Sequence, residues 1–394
     1  MASPLPSPAK TGRILAKVGI DRLGYGGIDD CITSIRCNGR KFHIEMSPSF
    51  ICNSPIVESR YRKFITVVSG DYNYGDEITD AEEGEGQQDS EEIRDEFHEW
   101  LLAALRPVFL EVVPDVPPSF DPEKLAAGEA HPRLSEYLFP EQHYYRLEVE
   151  NEKPFPIPIR DKEDRFSPAL NDIHPDLAQE LRHHAKFFDP SSIEVSFRRP
   201  EQALSGEPTR VLVDLDDSGP KTVCFFKNLT RAYYLDLDKQ LEDHLRVLKS
   251  TLTPNARVPR LLGVVVVDGR IAGLLFTYIK HRNENDGLLF ENHLLYTPIP
   301  LRQRWASQIQ DTVAQLHNAG LVWGDARADH VMIDKNNDAW LISLGGGYTE
   351  GWVDKDKAGT KDGDLQGVAR IVKHLNNEPY EPYSGSDMES DDGC

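Results

Sequence analysis

The residues able to do chemistry gather in one short stretch, VWGDARADHVMID at residues 322–334, with LISLGGG following at 341–347. A carboxylate, Asp325, stands behind a glycine, and a guanidinium, Arg327, and an imidazole, His330, come directly after it. An apolar pair in front and the strand-like Val331-Met332-Ile333 behind would hold such a loop in place. Two chemistries suit these groups. One is phosphoryl transfer, in which a carboxylate faces an acceptor hydroxyl and cations and metal ions carry the phosphates. The other is an acid–base pair of Asp325 and His330, since histidine titrates near neutral pH. Each residue also has an unreactive reading: Asp325 as a turn former after glycine, His330 as a packed histidine.

Elements that would position this loop precede it. IEVSF, RVLVDL and KTVCFFKNL from residue 193 onward read as strands, the last apolar except for Lys227. DLDKQLEDHLRVLKSTL places Leu241, Leu245 and Leu248 at helical spacing. RLLGVVVVDGRIAGLLFTYI is a hairpin turning at Asp268-Gly269. RQRWASQIQDTVAQLHNAG has Trp305, Ile309, Val313 and Leu316 on one stripe, with Gly320 as its cap.

That order, with these residues, resembles the protein-kinase-like fold, and in particular the divergent kinase-like family of filamentous fungi. In the resemblance, Lys227 stands where the family's strand lysine holds the α- and β-phosphates, and Glu242 where the next helix supplies its ion-pair partner. Asp325 takes the place of the catalytic aspartate and Arg327 that of a customary lysine. Asp364, in GTKDGDLQGVARIVKHL, would buttress the catalytic loop. HEWLLAALRPVF and LSEYLFPEQHYYRLE look like the N-terminal extension of the same family.

The pattern breaks at the metal. His330 replaces the family's asparagine and Ser343 its metal-binding aspartate, and magnesium prefers hard oxygen ligands. Asp329, Asp334, Asp354, Asp356 and Asp362 are the acids left to substitute, without support from spacing. No Gly-x-Gly-x-x-Gly precedes Lys227. Gly345, Gly346 and Gly347 are as readily a flexible turn as a phosphate loop. The resemblance therefore implies a pseudokinase with little or no phosphotransfer, binding ATP or a protein partner, with magnesium in doubt. The alternatives are an active atypical phosphotransferase and a repurposed pocket or interaction module.

The implied architecture is α+β: a two-lobed kinase-like fold with a truncated C-lobe, behind an α/β N-terminal extension. Residues 1–75 read as strand-rich, including RILAKVGI, KFHIEM and FITVVSG. Residues 76–90 read as an acidic loop within a run of eleven acids and one arginine at 76–96, a solvated stretch or an acidic docking site. Residues 91–192 read as a helical and proline-rich extension. It starts with a helix striped by Ile93, Phe97, Leu101 and Leu105, limited by Pro107, and wraps a surface or links domains. A later helical patch carries His174, His183 and His184, whose adjacent pair cannot chelate together. The kinase-like N-lobe would span 193–280, the C-lobe 281–376, and a disordered acidic tail 377–394, where Ser384, Ser386 and Ser390 lie near acids.

Bulk properties narrow the partners. The chain of 394 residues is 39% hydrophobic and 28% charged, with a formal charge of -21, which argues against nucleic acid and anionic membranes. No apolar run reaches the ~20 residues of a membrane span. Five scattered cysteines without a zinc pattern, and no leader-like apolar core, point to a cytoplasmic or nuclear protein rather than a secreted one.

Overall fold

The computed structural model describes residues 16–23, 29–72, 85–159, 168–204, 206–216, 219–230, 237–253, 255–281, 289, 294, 297–345 and 349–377. The tail serines, Gly346, Gly347 and most of the acidic loop lie outside these residues. The described chain is a mixed α+β protein with several sheets and eight α-helices. It divides into two compact units, Met1–Pro168 with Pro190–Val213, and Ala169–Asp189 with Asp214–Cys394. The boundary read at residue 193 does not coincide with this division.

The first unit opens with strands β1 (Ala16–Leu23), β2 (Cys31–Cys37), β3 (Arg40–Met46) and the short β4 (Ile51–Cys52). Helices α1 (Pro55–Tyr72) and α2 (Glu85–Val112) follow, then the short α3 (Pro122–Ala127) and α4 (Leu134–Leu138). β5 (Gln142–Glu150) and β6 (Lys153–Pro158) close the sheet, whose order is β1-β2-β3-β5-β4 with β6 on β5. FITVVSG is not a strand. Val57, Tyr61, Phe64, Ile65 and Val68 are all buried, at helical spacing, so the helix period wins and the segment lies within α1. α1 packs on α2 through Phe64 and Phe97, stacked at 4.0 Å between ring centroids. Pro107 does not stop α2. The proline faces solvent, while Val108 and Phe109 extend the buried stripe of Phe97, Leu101 and Leu105 beyond it.

Nor is the proline-rich segment a linker. β5 runs parallel to β3 and carries buried Tyr145, Leu147 and Val149, and KPFPIP forms the antiparallel strand beside it. The Ile159 N–H reaches the Tyr144 carbonyl at 2.9 Å, so alternate residues direct their amides inward. Pro154, Pro156 and Pro158 fall on the outward positions. The free edge of β6 thus offers no N–H there to an added strand, the protection expected of proline on an edge.

The chain enters the second unit through α5 (Pro175–His184) and β7 (Lys186–Phe188) and returns to the first for the paired strands β8 (Glu194–Val195) and β9 (Arg210–Val213). It then stays in the second for β10 (Thr222–Asn228), α6 (Leu237–Lys249), β11 (Leu261–Val267) and β12 (Arg270–Thr277). Within this unit the strands lie in the order β7-β11-β12-β10. Asp268 and Gly269 have φ of 49° and 79°, the left-handed pair that a two-residue hairpin needs. Leu237, Leu241 and Leu245 of α6 pack on Val264, Ile271 and Leu274. At about 25 cal/mol per Å2 each such leucine contributes roughly 2 kcal/mol of burial.

A separate core is built on α7 (Ile299–Asn318), the hairpin β13 (Val331–Ile333) and β14 (Ala339–Leu341), and α8 (Lys361–Asn377). Trp305, Ile309, Val313 and Leu316 form the α7 stripe, and Ile371 and Leu375 face them from α8. α7 is capped at Ala319, and Gly320 follows with φ of 76°. No helix among the described residues is long and apolar enough to cross a membrane.

Candidate functional site

The loop from Leu321 to His330 is held by its own backbone. Asp364, 1% exposed on α8, accepts the N–H of Trp323 at 2.7 Å and of Gly324 at 2.8 Å on separate oxygens. His317 Nε2, at the end of α7, reaches the same carboxylate at 2.8 Å. Trp323 is fully buried and donates its indole N–H to the Ile342 carbonyl, pinning the loop to the strand after it. Gly367 lets α8 come this close. A Cβ there would lie 2.3 Å from the Ala326 carbonyl oxygen and 2.6 Å from its Cβ.

This frame presents Asp325, which is buried, with an asymmetric set of neighbours. Oδ2 accepts the Thr349 hydroxyl at 3.3 Å and lies 3.7 Å from Arg327 Nε and 3.6 Å from His330 Nδ1. Oδ1 is buried and has no hydrogen-bond partner among the described residues. A carboxylate oxygen left bare inside a protein is costly unless something donates to it.

His330 is fully engaged. Nδ1 is 3.0 Å from the Asp325 carbonyl oxygen, and Nε2 accepts from Arg327 Nε at 3.1 Å and from its terminal nitrogen at 3.0 Å. A nitrogen that accepts from a guanidinium carries no proton, so the geometry fits the neutral Nδ1–H tautomer. The ring's shorter contact is to the backbone of Asp325, with the carboxylate Oδ2 at 3.6 Å. Arg327 is spread over His330, Asp325 and, at 3.1 Å, Asp329.

On the sheet side, Lys227 is largely buried, and burial alone lowers its pKa. The ion pair expected between Lys227 and Glu242 is not formed. Lys227 Nζ donates to Gln240 Oε1 at 3.3 Å, while Glu242 is exposed and lies 3.5 Å from Arg246. The helical wheel explains it. Leu237, Leu241, His244, Leu245 and Val247 form the buried face, Gln240 lies at its edge, and Glu242, on the opposite side of Leu241, is exposed. His244 is buried against Phe276, its pKa pushed down to about 4 by burial and then by Lys227. The lysine therefore faces an amide and a neutral imidazole rather than a carboxylate. Gln240 and Asp243 also overlook Gly345, whose Cβ would sit 3.5 Å from Asp243 Oδ2 and 3.7 Å from Gln240 Cα.

The donor set does not fit magnesium. Both nitrogens of His330 are committed, and Ser343, exposed at φ of 58°, offers a neutral hydroxyl. Asp334 is not spare either. It accepts the amides of Asn336 at 2.8 Å and Asp338 at 2.9 Å and the Trp340 indole at 3.2 Å, closing the β13–β14 turn. Asp329 is paired with Arg327. Asp354 is held by Gln366, Lys357 and Arg370, which bring its pKa down to about 2. Asp356 and Asp362 are exposed. Among the described residues no three His, Cys, Asp or Glu side chains are placed to share a metal, whereas Mg2+ asks for near-octahedral oxygen.

Sequence reasoning missed Gln240, His317, Thr349 and Gly367. The leucine stripe of α6 alone carried no signal for Gln240, because positions 240 and 242 each lie one step from Leu241; burial of His244 and Val247 tips the inner face toward 240. Nothing local marks Thr349 or His317. Compared with protein-family models and with curated proteins, the chain matches none.

Proposed function

We propose that this chain is a kinase-like scaffold, a pseudokinase, that carries out little or no phosphoryl transfer and acts by binding a nucleotide or a protein partner. The observation that carries the reading is His330. At the position that would hold the second metal, the imidazole spends one nitrogen on the Asp325 backbone and the other on Arg327. With Ser343 at the other metal position, magnesium is not retained, and the charge of a transferring phosphoryl group goes unneutralised. Lys227 supports the binding half of the reading. It is a half-buried cation whose neighbours among the described residues are Gln240 and His244, suited to the phosphates of ATP held without metal. Four cysteines, Cys31, Cys37, Cys52 and Cys224, are free thiols, which suits the reducing cytosol or nucleus. The test is phosphoryl transfer from labelled ATP to the chain itself and to generic acceptors, with magnesium or manganese. Background transfer is expected. Transfer that is metal-dependent and disappears in Asp325→Ala would overturn the reading.

A second reading rests on Asp325 Oδ1, which is bare and buried as a base awaiting an acceptor hydroxyl would be. It makes the chain an atypical phosphotransferase with Lys227 on the nucleotide. Turnover that survives Lys227→Met with the fold intact excludes it.

A further inference from the structure

Phe225 of β10 is 39% exposed, beside Phe226, Leu274, Leu275 and Phe276, which are all buried. One exposed phenylalanine needs no role by itself. This one stands two residues before Lys227, and residues i and i+2 of a strand share a face. The register with β12 identifies that face: Phe225 lies opposite Phe276, and Lys227 opposite Leu274. Leu274 and Phe276 are side chains on which the leucines of α6 pack, so Phe225 and Lys227 also point to the α6 side. The helix covers the β12 pair and leaves the Phe225 ring open.

Beside the open ring the surface is neutral up to the lysine. His244 of α6 sits on Phe276 with ring centroids 4.8 Å apart, and burial, then Lys227, pushes its pKa down to about 4. Lys227 Nζ donates to Gln240 Oε1, and burial is what acts on its pKa; no carboxylate of the described residues pairs with it. An aromatic face and a cation whose Cα atoms lie about 6.6 Å apart along a strand suit a planar ring joined to an anion by a short arm. A nucleobase stacks on an exposed aromatic ring whatever its edge pattern, and an ammonium takes a phosphate as a point charge. The short spacing leaves room for one sugar between them, and one ammonium matches one phosphate. With magnesium not retained, the second and third phosphates of a triphosphate gain nothing at this surface.

We propose that Phe225 and Lys227 form one subsite for a nucleoside monophosphate, or for that part of a larger nucleotide, with the base stacked on the Phe225 ring and the first phosphate at Lys227 Nζ. The proposal rests on the reading above that the chain binds nucleotide. It adds the residue that holds the base and the phosphate that carries the affinity.

The experiment titrates the full chain, in EDTA, with AMP, ATP and ribose 5-phosphate, the last being the same phosphate arm without a ring. Calorimetry reads affinity, and NMR reads contacts between the Phe225 ring and the base protons in the AMP complex. AMP and ATP should bind alike, and AMP about tenfold tighter than ribose 5-phosphate, the effect of one stacked base. Phe225→Leu, an exposed substitution whose melting temperature should match the parent's, should remove that gain from AMP and leave ribose 5-phosphate unchanged. Lys227→Met should weaken all three. The proposal alone falls if AMP or ATP binds and loses affinity in Lys227→Met but not in Phe225→Leu, or if the bound base makes no contact with the Phe225 ring. It also falls if ATP binds tighter than AMP by as large a factor. If none of the three binds, the nucleotide reading falls and the proposal with it.

Discussion

Replacing Asp364 by asparagine tests how the candidate loop is held. The wild-type carboxylate accepts from Trp323 N, Gly324 N and His317 Nε2, at 2.7, 2.8 and 2.8 Å, from a site that is 1% exposed. Hydrogen bonds to a charged acceptor contribute about 1.5–3 kcal/mol each. Asparagine keeps one oxygen, best placed on the side that serves Trp323 and His317. Its amide nitrogen then meets the Gly324 N–H donor to donor. One charge-assisted bond is lost and two are weakened, so the second unit should lose about 2–4 kcal/mol, a large share of the ~5–15 kcal/mol that holds a domain. Urea unfolding followed by tryptophan fluorescence reads the loss. Amide exchange should accelerate at Trp323 and Gly324 before it does elsewhere in α7 and α8. A change below about 0.5 kcal/mol with unaltered exchange at those amides would refute the claim that Asp364 holds this loop.

Further outcomes follow from the same geometry. Gly367→Ala should destabilise by about 1–3 kcal/mol by overpacking, despite alanine's helix propensity, because its Cβ would lie 2.3 Å from the Ala326 oxygen; a neutral or raised melting temperature contradicts this. His244 has a folded pKa of about 4 against an ordinary 6.5. Its contribution is therefore complete above pH 6.5 and is lost as pH falls toward 4. His244→Phe should remove about 3 kcal/mol of acid sensitivity in that window, and identical pH–stability slopes would count against it. Glu242→Ala should cost no more than about 0.5 kcal/mol and leave the Lys227 titration unmoved, whereas Gln240→Glu should raise the Lys227 pKa; NMR titration of the lysine reads both.

The strongly periodic elements were readable from residues alone, and the reasons are specific. Leucines of α6, the α7 stripe and the Asp268-Gly269 turn each encode one local geometry, and each forms it. FITVVSG misled because a run of β-branched and aromatic residues fits either period. Tyr61 and Val57 upstream decide it for the helix only once the wider window is counted. KPFPIP misled because prolines suggest a linker, yet an edge strand tolerates them where no inward amide is needed. At the site, the loop and its carboxylates could be picked out as types, but the pairing of Lys227 could not be taken from an aligned glutamate. Two positions along a helix differ by about 200°, which separates Gln240, at the lysine, from Glu242, on the surface. Contacts made across long sequence gaps, Thr349 to Asp325 and His317 to Asp364, have no local signature at all.

The most direct test of the central claim is thermal unfolding of the full chain with ATP, in magnesium, in manganese and in EDTA. At ~100 times its dissociation constant a ligand stabilises by about 2.7 kcal/mol, a readable shift. A scaffold that holds nucleotide through Lys227 without metal should show the same upward shift in all three conditions and lose it in Lys227→Met. A shift that requires magnesium or manganese would contradict the account, because it would mean that a metal is bound where His330 and Ser343 leave no ligands for one.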